Sequence, residues 1–220
     1  MPSALSRSLR RPPSRPPRPG GAGTKGRILD AAEAVFAERG FAGTALRDVA
    51  ERVGVRTPSL YNHFASKEAL YAAVLERAVA PLLALLGDAA AGRGPRDSGQ
   101  LVAELTALLA RRPHLPRLVA HETLAGAERL TPMLERWLAP AFARGLELVA
   151  EAPFEAAQRP HLVLAMYHVV AGYFTSTPLY GRLTGDDALG AAALERQTRF
   201  LRELVSLLFP GDSAGPRESR

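Results

Sequence analysis

No cysteine occurs in the 220 residues. That excludes disulfides, thiolate zinc sites and cysteine nucleophiles, and it suits a reducing cytoplasm, the compartment expected for the chain. Aromatic residues make up only 6%, with a single tryptophan. No run of 18 apolar residues occurs, so no segment reads as a membrane span and no membrane partner is expected. The start, MPSALSRSLRRPP, lacks the apolar core of a secretory signal. Strand-like alternation is absent throughout, which points to an all-α chain.

Catalytic chemistry is equally thin. His121-Glu122 has no second histidine at zincin spacing. His161 and His168 lie seven residues apart, roughly 10 Å along a helix, too far for one metal. There is neither a phosphate loop nor a nucleophile elbow. No enzyme activity, metal or cofactor is expected.

What is present is enough to build a core: 47% hydrophobic and 23% charged residues. The net charge of +6 is unevenly placed. Residues 1–22 carry Arg7, Arg10, Arg11, Arg15 and Arg18 and no acid. The remainder holds 23 basic and 22 acidic residues, so global charge does not by itself argue for nucleic acid. The 1–22 segment is Pro- and Arg-rich and reads as a disordered leader, or a start placed too far upstream. The alternative is a basic arm that follows a DNA backbone or enters its minor groove.

Residues 24–71 carry the densest local signals. Ile28, Ala31, Ala32, Val35 and Phe36 recur with helical period, and Gly40 closes that helix. Thr44 is placed to cap a second helix whose inner face is Leu46, Val49, Ala50 and Val53, ending at Gly54. Pro58 then opens a short third helix, expected over about 58–64, and Ser66 caps a fourth. Two helices joined by a tight glycine turn and braced by another form a helix-turn-helix, here about residues 44–64, whose second helix enters the major groove. Arg56, Thr57, Ser59, Tyr61, Asn62 and His63 can all donate to phosphates or base edges. Only Leu60 and Phe64 are apolar there, enough to pin one side of the helix.

The run Gly54-Val55-x-x-Pro58-Ser59-Leu60-Tyr61-x-His63-Phe64-x-Ser66-Lys67-Glu68-x-Leu70, preceded by Phe36-x-x-x-Gly40-Phe41-x-x-Thr44, resembles the signature of TetR-family (tetracycline-repressor-like) transcriptional regulators. The resemblance spans about 48 residues. It implies that Thr44, Tyr61, His63 and Lys67 hold phosphates, while Arg47, Thr57, Pro58 and Ser59 face bases. Many members have serine where this chain has Arg56. Thr57 is the alternative cap, and Arg56 is left to read a guanine or grip a phosphate.

The organisation expected is a leader 1–22, a DNA-binding domain 23–70, a body 71–210 and a disordered tail 211–220. Within the body, Pro81 should kink or end the fourth helix, and 87–99 reads as a loop. Thr131 caps a helix through Trp137 to about Ala150, bent at Pro140. Leu162 to Phe174 should be buried on most sides, 175–185 is turn-like, and Asp186 or Asp187 caps the last long helix. Helices about 160–177 and 187–208 carry apolar surface to spare, and in TetR-like proteins this pair makes the homodimer. Two heads roughly 34–36 Å apart would read a palindromic operator on double-stranded DNA. The resemblance further implies a small-molecule effector between body helices and a repressor released by it. His121, Glu122, Trp137, Met166, Tyr167, Tyr173 and Phe174 are the candidate pocket residues, and His168 reads as a core or interface histidine. The rival to DNA binding is a helical interaction module, because the 24–71 stretch has seven basic against six acidic residues.

Overall fold

The computed structural model describes residues 23–95, 97–124, 136 and 138–209. The leader, the Thr131 cap, Trp137 and the tail lie outside the described residues. The fold is all-α, with no strand among the described residues.

The head holds α1 (Thr24–Arg39), α2 (Leu46–Val53) and α3 (Thr57–Tyr61). Its core is Ile28, Ala32, Val35 and Phe36 from α1, Val49, Ala50 and Val53 from α2, and Leu60 and Phe64. The long helix α4 (Lys67–Ala90) closes it with Leu70, Tyr71, Val74 and Leu75. Phe36, Phe41 and Tyr71 form a ring cluster, with centroids 4.7 Å apart for Phe36–Tyr71 and 5.0 Å for Phe41–Tyr71.

Two turns set the angles of the head. Gly40 has φ +69° and donates its N–H to Phe36 O. The positive φ is what calls for glycine; a Cβ there would only touch the His121 ring, at 3.4 Å. Gly54 is left-handed: its N–H goes to Glu51 O and the Val55 N–H to Ala50 O, a Schellman closure that aims the chain into α3.

Thr44 does not cap α2. The cap is Ala45, whose N–H is accepted by the Asp48 carboxylate at 3.1 Å. The Thr44 hydroxyl is buried and donates to Gly40 O at 2.7 Å, so it locks the preceding turn instead. Thr57 does not cap α3 either: Arg56 is the N-cap, in extended conformation and without a side-chain cap. The helix stops at Tyr61, leaving Asn62 and His63 in the following turn. Ser66 caps α4 as expected, accepting from Ala69 N–H at 3.1 Å.

The body corrects several boundaries. α4 runs through Pro81 and past Gly87, so the loop begins only at Ala91. By length and composition α4 is apolar enough to cross a membrane; here one face of it lines the head core and then a second core. Asp97 caps α5 (Ser98–Arg111), accepting from Gln100 N–H at 2.7 Å, and α6 is His114–Leu124. In α7 (Ala139–Leu148), Pro140 sits in the first turn. A 3-10 turn leads into α8 (Arg159–Thr175), and α9 (Thr177–Thr184) follows where a turn was expected. Pro178 occupies the first turn of that helix. α10 (Ala191–Leu208) is preceded by Gly190, not by an aspartate cap; the Asp187 carboxylate accepts from Leu189 N–H instead. The second core joins α4, α5 and α6 to Val170 and Phe174 of α8 and Leu201 and Val205 of α10.

Candidate nucleic-acid interface

α3 is anchored from one side. Leu60 is 1% exposed and Phe64 is buried, while Tyr61 is 55% exposed. Arg56, Pro58, Asn62 and His63 are exposed, and Thr57 and Ser59 are half-buried. Helical geometry thus turns Tyr61 outward, and the flanking Arg56, Asn62 and His63 extend the exposed row of donors beyond the helix ends. Arg47 on α2 is exposed and pairs loosely with Glu51 at 3.6 Å. Such an exposed pair is worth little and yields readily to a phosphate.

The rest of the head's charge is arranged to favour this face. Asp30 and Glu33 on α1 are held by Arg77 of α4, at 2.7 and 2.9 Å. Glu38 takes Arg52 at 2.8 Å. Asp48 pairs with Arg39 at 3.0 Å. The Ala45 amide, then the Arg39 and Arg47 charges, hold its carboxyl below the usual aspartate range. Glu68 is lowered as well, chiefly by its own backbone amide and the Ser66 hydroxyl at the helix start. The near-balance of seven to six therefore hides a segregation: most acids are matched to arginines, and Arg56 has no acidic partner among the described residues.

Two lysines are carried on aromatic rings. Lys67 Nζ lies 4.4 Å from the Phe41 ring centroid, and Lys25 Nζ 5.7 Å from that of Phe64. Lys25, in the first turn of α1, was not singled out by sequence reasoning. Its signal would have been a cation one turn before an apolar helical face.

Among the described residues, the effector candidates fall in two places, the head–body seam and α8. His121 and Glu122 face the head, not a cavity of the body: His121 Nε2 lies 3.1 Å from Ala37 O, and buried Glu122 accepts from the Tyr71 hydroxyl at 2.6 Å. Phe174 is sealed in the second core, with Met166 packed partly buried against it. Tyr173 donates to Ala188 O at 2.6 Å. Tyr167 is 38% exposed and meets His168 edge-on at 5.1 Å. Desolvation pushes both phenols up, which keeps them neutral donors. α8 itself is not buried on most sides: Leu164, Ala165, Tyr167 and His168 are exposed.

A short outward helix set by a glycine turn on a braced three-helix head, carried by an all-helical body, defines a helix-turn-helix protein. A family model described as "Bacterial regulatory proteins, tetR family" matches residues 28–74. The chain is 47% identical over 55 residues to the HTH-type transcriptional activator FasR of Mycolicibacterium smegmatis, a quarter of each protein. It is 52% identical over 44 residues to the HTH-type transcriptional repressor KstR2 of Mycobacterium tuberculosis, 20% of this chain and 22% of that one. The match thus spans about a quarter of the length of these curated relatives. Over the whole fold it is similar to a transcriptional regulator (TerR/AcrR family) from Aquifex aeolicus, with a TM-score of 0.60 and 20% identity over 85% of this chain and 100% of that one. The head is thus similar to the tetR-family regulatory domain over residues 28–74.

Proposed function

We propose that the chain is a homodimeric, sequence-specific DNA-binding transcriptional regulator that grips a palindromic operator in the cytoplasm and lets go when a small molecule binds. The observation that carries this is α3: five residues fixed by Leu60, with Tyr61, Asn62, His63 and Arg56 turned to solvent. Tyr61, His63 and Lys67 grip phosphates, with Arg47, Arg56, Thr57, Pro58 and Ser59 turned to base edges. Thr44 reaches a phosphate only through what its buried, already engaged hydroxyl leaves free.

Support for the dimer comes from apolar side chains that one copy leaves uncovered: Leu164 and Tyr167 on α8, Phe200 and Leu207 on α10. A two-fold axis through that pair would bury both sets and present two heads to one operator. Repression is the proposed sense, as the name of KstR2 states for that protein, whereas FasR is named an activator.

Fluorescence anisotropy with duplexes from the DNA flanking the gene tests the reading. Tight binding to one two-fold-symmetric segment, weakening steeply with salt, is expected. Equal, weak binding to every duplex contradicts it. Promoter activity that falls when the gene is deleted would reverse the sign to activation.

A further inference from the structure

A cleft of about 510 Å³ lies at the seam between head and body. That is within the range of small-molecule sites. Asp30 and Glu33 of α1, Arg77 of α4, and Arg111, Arg112 and His114 at the α5–α6 turn line it. The two carboxylates are already bound by Arg77, at 2.7 and 2.9 Å. Arg111 and Arg112 have no acidic partner among the described residues. With two acids against three guanidinium groups, the lining carries a surplus of positive charge.

Two further observations point the same way. Arg77 Nε and His114 Nδ1 are buried without a hydrogen-bond partner. A buried polar group left so has lost its hydrogen bond to water, which a ligand could restore. α6 also begins at His114, bringing the positive end of an eleven-residue helix to the cleft.

We propose that this cleft binds a small oxyanion, a carboxylate or a phosphate group, that bridges the α5–α6 turn of the body to α1 and α4 of the head. Arg111 and Arg112 supply the charge, and His114 is a third donor from the turn. Arg77 keeps its carboxylates and serves as the fixed floor. A ligand on both sides of the seam binds some head orientations better than others, and only such differential binding can shift the head. The binding step does not rest on the DNA reading; only its regulatory consequence does. It also places an effector at the seam rather than among the aromatic residues of α8.

The test uses the full chain and no DNA, so its failure is separable from failure of the regulator reading. Thermal unfolding is followed in inorganic phosphate, in succinate and in potassium chloride at equal ionic strength. A saturable rise in melting temperature with phosphate, succinate or both, above that in chloride, is expected, and which of them acts tells the source of the oxyanion. The rise should vanish in the double variant Arg111→Ala/Arg112→Ala and persist in Arg144→Ala, a surface arginine on α7. Hydrogen exchange on the wild type supplies the second measurement: α1 and the α5–α6 turn should slow together. Equal melting in all three salts, a rise undiminished in the double variant, or protection of only one of the two segments overturns the proposal.

Discussion

The head and the body solve the problem of apolar surface differently. In the head nearly every large apolar side chain is covered, and what is exposed around α3 is mainly hydrogen-bond donors. In the body, Leu164 is 49%, Phe200 53% and Leu207 79% exposed. A closed core with a polar face suits a reader of a hydrated, charged polymer; an open apolar face suits a copy of itself. The two halves meet through an apolar side chain, Leu118 of α6, sealed in the head core, and through polar contacts, Tyr71 to Glu122 and His121 to Ala37. Such contacts are directional, so a change of angle breaks them where a greasy seam would slide.

The comparison can be broken most sharply in the core of the head. Phe36→Ala removes a fully buried ring and should cost about 3–5 kcal/mol of stability by calorimetry. Leu207→Ala, on the open face, should change the stability of an isolated subunit by no more than about 0.5 kcal/mol. Its weight is expected elsewhere: Phe200→Asp with Leu207→Asp should leave helix content intact and halve the mass in sedimentation. A single species of unchanged mass would deny the body its open face.

Smaller changes sharpen the seam and the reading helix. Tyr71→Phe strips a donor from buried Glu122 and should cost about 1–3 kcal/mol in denaturant unfolding. Arg56→Ala should relax preference at one base pair by about 1–3 kcal/mol, whereas Lys67→Ala should weaken all duplexes alike and lower the salt slope by about one. If the two variants were indistinguishable across a panel of duplexes, the division between base and phosphate contacts would be wrong. The smallest effect is one of pH. Asp48 has a depressed pKa in the folded head, so its contribution is present above the ordinary aspartate value. It fades as the pH falls below about 4. Amide exchange in α2 should accelerate there in the wild type and much less in Asp48→Asn.

The head was legible because its signals are local. Gly40, Gly54, Pro58 and Ser66 each act within a turn of themselves, and they set the angles between α1, α2, α3 and α4. Thr44 was misjudged because a threonine before a helix can either cap forward or bond backward, and here Asp48 already serves the cap. In the body the deciding forces are tertiary. Pro178 reads equally as a breaker or as a first-turn residue, and α9 shows the second. Residue type suggested a pocket around His121, Glu122, Tyr167 and Tyr173. Position along the chain could not say that the first two face the head. Nothing local marks the doublet Arg111-Arg112 as part of a cleft; its neighbours Asp30, Glu33 and Arg77 come from distant segments, and no periodicity announces such a meeting.

The central claim is that α3 reads DNA, and selection from a pool of randomised duplexes tests it most directly. The wild-type chain should enrich a two-fold-symmetric sequence, and Arg56→Ala should enrich the same sequence with one symmetric pair of positions relaxed. A pool that remains random after repeated rounds at moderate salt would contradict the account.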